Sequence, residues 1–488
     1  SLLWACTGER EAALVVLVES APQSLDPRRV TDDIGTKISH LIFAPLLSFD
    51  TFDLKPQLVL AESIEQVSST RYDITLKKEL RFHDGSALSS ADVCYTFRST
   101  PHVMRTIKAL HCPDPEHIHI ELEHPHAPFL MTLELGIVSE REASKQEPRL
   151  GAGPFMLRTW RSDDVVILDR FEAYTLGPPH IPSLLFRPIR DDNTRILALL
   201  GGSADLAVNN ISPIMLPVLQ RQTELTVATS PSIKYSYLMF NVREPPLNDR
   251  RVRQAIAYAI DREPIVEYKF RGLAELASGM LSPMHWAYQD KVPKYPRSLK
   301  KAKALLDEAG YTDSDGPGGQ PRMRLSFLSS TSKLRRSIAQ LFAAQLAELD
   351  IELDVQALEF GTFFAKLQGG QFELTSLQWP SPIDPDLGFV ALHSSMIPEH
   401  NPDGRNRGGF SSPAIDAVLE MGRRTPSQDA RAGFYRAAQV LAAFELPYVP
   451  LWHEDNICVM RKGLEDFAPT PNARLAALAW ARWNPRTQ

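Results

Sequence analysis

Two stretches of the chain gather side chains that could do chemistry. The first is Trp379-Pro380-Ser381-Pro382-Ile383-Asp384-Pro385-Asp386, with one large aromatic, two carboxylates and three prolines. A stiff backbone carrying fixed anionic groups suits a preorganised binding wall. Paired acids can also act as general acid and base, but an i,i+2 pair across a proline more often shapes a turn. The second stretch holds His111, Cys112, His117, His119, His124 and His126. A metal site needs two to four of these to converge. His117 and His119 share one face of a strand, but no closed Cys/His spacing accompanies them. The reading is a half-exposed strand with histidines on its wet face, so neither a metal nor a cofactor is expected. The sequence has no G-x-S-x-G, no Walker A run and no H-E-x-x-H. The Gly316, Gly318 and Gly319 loop follows no strand and precedes no Lys-Ser/Thr, so it is no phosphate cradle. The chain is expected not to be an enzyme; a hydrolase using Asp384 and Asp386 is the remote alternative.

The elements that must position these residues follow from pattern. The 488 residues favour several domains or lobes over one unit. With 43% hydrophobic and 23% charged residues the composition is that of a folded protein. Lys+Arg 53 against Asp+Glu 59 leaves a net charge of −6, which argues against nucleic acid as a partner. No apolar run reaches the roughly 18 residues of a spanning helix. In the first half, strands are expected at Leu14 to Val18, Tyr72 to Leu76, Ile118 to Leu122, Val165 to Leu168 and Ser183 to Phe186. Helices are expected from Ser90 to Arg98, with Ser90 as N-cap, and from Asn193 to Gly201.

The second half changes character. Val252, Ala255, Ile256, Ala259 and Ile260 line one helix face that Asn248 or Asp249 can cap. A helix begins at Asp261 with Pro264 in its first turn, and another runs from Ser298 to Ala309. Strand Arg322 to Leu328, a helix through Ile338, Phe342 and Leu346, strand Ile351 to Val355, helix Thr362 to Leu367 and strand Phe372 to Gln378 form a βαβαβ unit. That predicts a mostly parallel sheet with helices on its faces. Ligands of such sheets sit beyond the carboxyl ends of the strands, where the Trp379 loop begins. Cys6, Cys94, Cys112 and Cys458 are too few for a disulfide scaffold. Cys94 and Cys112 could bridge, but two buried small hydrophobes are the favoured reading. Leu2-Leu3-Trp4-Ala5-Cys6 has the form of a lipobox, with Cys6 as the lipidation site of an export signal remnant over residues 1–9.

The order of segments resembles the family 5 extracellular solute-binding proteins of ABC importers, which include dipeptide-, oligopeptide- and nickel-binding proteins. The resemblance runs from about Leu14 to Trp483. It rests on Ser24-Leu25-Asp26-Pro27, on Lys55 to Leu58 with Tyr72 to Leu76, and on Leu80-Arg81-Phe82-His83-Asp84-Gly85 with Ser90-Ala91-Asp92-Val93. Gly151-Ala152-Gly153-Pro154-Phe155, Leu238 to Asn241, and Arg251-Val252-Arg253-Gln254-Ala255 with Ala259 to Arg262 complete it. The implied fold is α/β: the two-lobed periplasmic binding protein fold of type II, large cluster, with an inserted subdomain and mixed sheets flanked by helices. Residues 10–46, 152–250 and 465–488 would form the first lobe, 47–151 the inserted subdomain and 251–464 the second lobe.

The resemblance implies capture of a peptide-like or amine-bearing solute by hinge closure and delivery to an ABC permease in the inner membrane. A ligand-sensing receptor on the same scaffold is the alternative. The protein would be a monomer in the periplasm or on the outer face of the cytoplasmic membrane, touching the membrane only through a lipid anchor. Peptide-binding members carry a pattern like W-x-G-D-x-x-D-P-D whose first Asp pairs with the ligand ammonium. Here Trp379 and Asp384-Pro385-Asp386 match, while Ser381-Pro382 replaces the Gly-Asp pair. The ligand-binding residues expected are Trp379, Asp384, Asp386, Tyr235, Tyr237, Asn241, Arg405, Arg407, Trp452 and His453.

Overall fold

The computed structural model describes residues 13–161, 164–313, 315–316, 319–402 and 404–484. Cys6, the expected lipidation site, and residues 1–9, the expected leader remnant, lie outside the described residues. The chain divides into two compact units, 1–232 with 456–488 and 233–455. The sequence reading placed its divisions after residues 250 and 464. The difference arises because Tyr235–Phe240 is hydrogen-bonded on both sides into the sheet of the second unit.

In the first unit, Ala13–Val18 is buried throughout and pairs in parallel with Ser183–Pro188 and Leu206–Val208. A strand covered on both faces reads as an unbroken apolar run, which is why it was legible. The full seven-stranded order is Leu225–Ser230, Asn456–Arg461, Leu206–Val208, Ala13–Val18, Ser183–Pro188, Val165–Arg170 and Phe155–Arg161. Leu14, Val16, Phe155, Leu168, Phe186 and Cys458 form its core. Helix Asp33–Ile42, capped by Asp32 on the Gly35 amide, supplies Ile38, Leu41 and Ile42 to the same core. The Gly-Ala-Gly-Pro-Phe segment lies against the end of this helix. A Cβ on Gly153 would sit 2.4 Å from the Leu41 carbonyl oxygen, so close approach of two backbones requires glycine there.

A separate antiparallel sheet holds Ala61–Gln66, Arg71–Leu76, His117–Leu122 and Ile107–His111 in that order. His117 and His119 lie on its outer side, His119 Nδ1 2.9 Å from Asp73 Oδ1 and His117 Nδ1 2.9 Å from Asp114. No His, Cys, Asp or Glu group suited to a metal occurs among the described residues. Helix Ser90–Arg98 is capped by Ser89 rather than Ser90, in a capping box with Asp92. The Ser90 hydroxyl donates to the Asp114 carbonyl instead. Cys94 and Cys112 are bonded to each other, with Cα atoms 6.5 Å apart, which corrects the reading of two separate buried thiols. The cause is packing: the helix turns Cys94 towards the chain leaving strand Ile107–His111.

The second unit is built on one six-stranded sheet, in the order Ala274–Leu276, Tyr448–Glu454, Tyr235–Phe240, Leu374–Trp379, Met323–Ser330 and Ile351–Leu358. Only Met323–Ser330 with its two neighbours is parallel. The other three pairings are antiparallel, so the sheet is mixed rather than mostly parallel. The βαβαβ pattern was real, but the strands flanking it in sequence, Tyr235–Phe240 and Tyr448–Glu454, join the same sheet in opposite sense. Helix Arg250–Ala259 starts at Asp249, whose side chain accepts from the Arg251 amide. The next helix starts at Glu263 rather than Asp261, with Pro264 in its first turn. Asp261 instead donates its amide to Gln345 Oε1. Both sheet faces are covered: Leu238 and Phe240 point to one core with Val252, Ile256 and Phe342, and Tyr235, Tyr237 and Met239 to another with Leu392 and Tyr435.

Candidate functional site

Antiparallel pairing places Trp379, the last residue of its strand, opposite Tyr235, the first residue of the neighbouring strand. On the other side Ser236 lies opposite Trp452. Tyr235, Trp379, Trp452 and His453 are thereby gathered at one end of the sheet of the second unit. The carboxyl ends of Met323–Ser330 and Ile351–Leu358 lie there too. The crossover after Met323–Ser330 leads to the strand on one side of it, and the next crossover leads to the strand on its other side. This reversal makes a topological switch point, where open α/β sheets leave a crevice beyond their strands.

Trp379 is half-buried, and its buried indole Nε1 has no hydrogen-bond partner among the described residues. Tyr235 is fully buried and stacked on Tyr237, with ring centroids 5.3 Å apart. It lines a cavity of about 50 Å³ with Met280, Leu281, Leu392, Tyr435 and Tyr448. Trp452 packs in the core against Phe270 and donates to Glu454 Oε1 at 3.3 Å. His453 is buried; its Nδ1 lies 2.9 Å from the Lys234 carbonyl oxygen. Burial pushes the imidazole down to about 4, so it is neutral at pH 7.

The two loop carboxylates are engaged by the protein itself. Asp384 accepts from Arg431 Nη2 at 2.7 Å and Nη1 at 3.1 Å, and from the Asp386 amide at 2.8 Å. Asp386 is 9% exposed, accepts from the Tyr435 hydroxyl at 3.2 Å and lies 3.0 Å from Arg423 Nε. Burial raises its carboxyl to about 7, against the opposing pull of Arg423. Arg423 also covers the Phe389 ring at 3.8 Å. These contacts fasten the loop to helices Pro413–Arg424 and Gln428–Glu445. Sequence reasoning missed Arg423 and Arg431 because they lie on helices far along the chain, and their spacing carries no local sign of the loop.

Asn241 is not at this end of the sheet. It follows Phe240 at the far end of its strand, roughly 20 Å from Tyr235 by strand rise. Its amide is used structurally, donating to the Gly370 and Phe372 carbonyls at 2.9 Å each and accepting from Arg243 Nη1 at 2.9 Å. Arg407 is buried, donates from Nε to Gln368 Oε1 and lies 5.2 Å over the Phe364 ring. Arg405 is half-buried beside it. Arg335, which the sequence does not single out, lies in the first turn of helix Lys333–Ala347 and donates to the Ser376 carbonyl at 3.4 Å. It stands where strands Met323–Ser330 and Leu374–Trp379 have already ceased to pair.

The family model described as bacterial extracellular solute-binding proteins, family 5 Middle, matches residues 55–396. Among curated relatives, the oligopeptide-binding protein AppA of Bacillus subtilis (strain 168) is 26% identical over 481 residues, covering 91% of this chain and 87% of AppA. The glutathione-binding protein GsiB of Salmonella typhimurium is 28% identical over 484 residues, covering 94% and 92%. Among solved structures, AppA from Bacillus subtilis in complex with a nonapeptide aligns with TM-score 0.85 at 23% identity, over 97% of this chain and 99% of AppA. NikZ from Campylobacter jejuni in complex with Ni(L-His) aligns with the same score, identity and coverage. These structures share the α/β fold with mixed sheets flanked by helices. With a family model spanning most of the chain, the protein belongs to the bacterial extracellular solute-binding proteins of family 5.

Proposed function

We propose that this protein captures a peptide-like or amine-bearing solute outside the cytoplasm and hands it unchanged to the permease of an ABC importer. The observation that carries the reading is the family match together with relatives that align over nearly their whole length and are named for oligopeptide and glutathione binding. The proposed mechanism is hinge closure: solute contacts shift a population of open forms towards a closed one. Peptide-type solutes suit this scaffold because main-chain hydrogen bonds give affinity without demanding one side chain. The Cys94–Cys112 disulfide supports an extracytoplasmic site, since such bonds persist in oxidising compartments. A lipid on Cys6 would anchor the protein to the membrane, and the protein acts as a monomer without chemical turnover.

The test is native mass spectrometry of the purified protein, before and after incubation with a tryptic peptide pool. The expected result is a protein–peptide complex of one-to-one mass whose ligand is recovered intact. A protein that retains only sugars or metal chelates, or that returns cleaved peptides, overturns the proposal.

A further inference from the structure

The cavity beside Tyr235 carries an unspent polar group. It has a volume of about 50 Å³ and lies wholly within the second unit, walled by strand Tyr448–Glu454, helix Gln428–Glu445 and the bend at residues 278–281. Met280, Leu281, Leu392, Leu419 and Tyr448 make most of the wall aliphatic and aromatic. Among the described residues no charged side chain lines it, and neither does Trp379. Gly279, Met280, Gln439 and Ala442 are half-buried, so the cavity has its mouth at the surface of this unit.

The exception in this wall is the Gln439 amide. Its Nε2 donates to the Ala287 carbonyl at 2.8 Å and to the Tyr435 carbonyl at 3.0 Å. Both donors are spent on carbonyls, which fixes the end of the amide that is oxygen. Oε1 is buried and accepts no hydrogen bond among the described residues. A buried acceptor left unmet is costly, and folded proteins keep few of them. Gly279 stands opposite. A Cβ built there would have Oε1 at 3.7 Å and Cγ of Gln439 at 3.9 Å as its nearest neighbours, so the missing side chain leaves open space facing the oxygen. One water needs roughly 10–15 Å³ of such space, so the cavity takes a guest of about four non-hydrogen atoms. Waters filling it would meet mostly carbon, short of the roughly two to four polar partners each requires. A short carbon body with one donor matches both features. We propose that this cavity binds a small uncharged molecule, an aliphatic alcohol or amide, whose O–H or N–H donates to Gln439 Oε1. The inference does not rest on the solute-binding reading.

The test is a titration of the full chain, labelled with ¹³C in its methionine methyl groups, with 1-propanol. The Met280 signal, assigned by its loss in Met280→Leu, should shift and saturate with a midpoint on the order of 10 mM, as befits so small a ligand. Gly279→Ser places a hydroxyl within reach of Oε1. It should abolish the response and raise the unfolding temperature by about a few degrees. Gly279→Ala adds the carbon without the donor, so it should fold normally and keep a saturable response. A shift that grows linearly with 1-propanol, or one that survives unchanged in Gly279→Ser, overturns the inference. So does a cavity that holds water only, seen as no response in the wild type although Gly279→Ser is stabilised.

Discussion

At the scale of single residues, the Trp379 loop separates side chains that hold the fold from those free to meet a solute. Asp384 belongs to the first group. Replacing it by Asn weakens the two-pronged contact to Arg431 and leaves a guanidinium buried without a charge partner. Breaking a buried pair from one side costs about 3 kcal/mol or more, so Asp384→Asn should lower the denaturant midpoint by a corresponding amount. Solute affinity measured well below the midpoint should change far less. Asp386 gives a pH signature. Its folded-state carboxyl titrates near 7, raised first by burial, against 3.8 in the unfolded chain. An acid raised in this way holds its proton better in the folded state, so its favourable contribution is present below the unfolded value and is lost as pH rises to about 7. The unfolding free energy of wild type minus that of Asp386→Asn should therefore fall between about pH 4 and pH 7 and level off above. A difference that rises with pH would mean that the arginines, not burial, govern the group. Trp379 is held less tightly: it is half-buried against the core with Tyr235 and Tyr237, and its buried indole nitrogen has no hydrogen-bond partner among the described residues. Trp379→Ala should weaken solute binding by more than about 1 kcal/mol with little change in unfolding temperature. Calorimetry showing unchanged affinity would remove it from the site.

At the scale of elements, the disulfide makes the sharpest claim. Cys94 and Cys112 are 18 residues apart and tie helix Ser90–Arg98 to the chain beyond strand Ile107–His111. Closing a loop of that length removes about 3 kcal/mol of freedom from the unfolded state. The unreduced, denatured protein should show two fewer reactive thiols than the reduced chain, and Cys94→Ala with Cys112→Ala should unfold earlier by that order of energy. Full thiol reactivity in protein purified from an oxidising compartment would contradict the pairing. The sequence could not decide this, since spacing says nothing of whether two Cα atoms meet. Elements with a covered face were readable: Ala13–Val18 announced itself by unbroken apolarity, and Leu299–Glu308 by the serine that caps it. Polar roles set by distant partners were not. The Asp384–Arg431 contact spans 47 positions, and Asn241 gave no sign that its amide would be spent on the Gly370 and Phe372 carbonyls. The end of the sheet that carries Trp379 was legible in outline, because the βαβαβ order fixes where strand ends meet. The engagement of its carboxylates was not, because Arg423 and Arg431 reach Asp384 and Asp386 from helices far along the chain.

At the scale of the whole molecule, chain order and folding units do not coincide, and this difference can be measured. The second unit is one uninterrupted stretch, 233–455, with every strand of its sheet inside it. Its cores, around Val252, Phe342 and Trp452 on one face and Tyr237, Leu392 and Tyr435 on the other, draw on no residue outside that stretch. The first unit is assembled from two distant pieces, and the later piece is not a surface addition. Asn456–Arg461 pairs with Leu206–Val208 on one side and with Leu225–Ser230 on the other, so it lies between them in the sheet. Cys458, from its middle, is wholly buried with Leu14 and Phe186. Arg474, from the same piece, is clamped between the buried carboxylates of Glu134 and Asp50. Without residues 456–488, Leu225–Ser230 has no strand to pair with and two buried acids lose their cation. A polypeptide of residues 233–455 should therefore fold alone and unfold in one cooperative transition, because its hydrophobic burial is complete. Residues 1–232 should not fold alone, and should recover a cooperative transition only when 456–488 is joined to them by a flexible linker. If 1–232 alone gave a sharp thermal transition, or 233–455 gave none, then the interlocked strand would not be the part that completes the first unit.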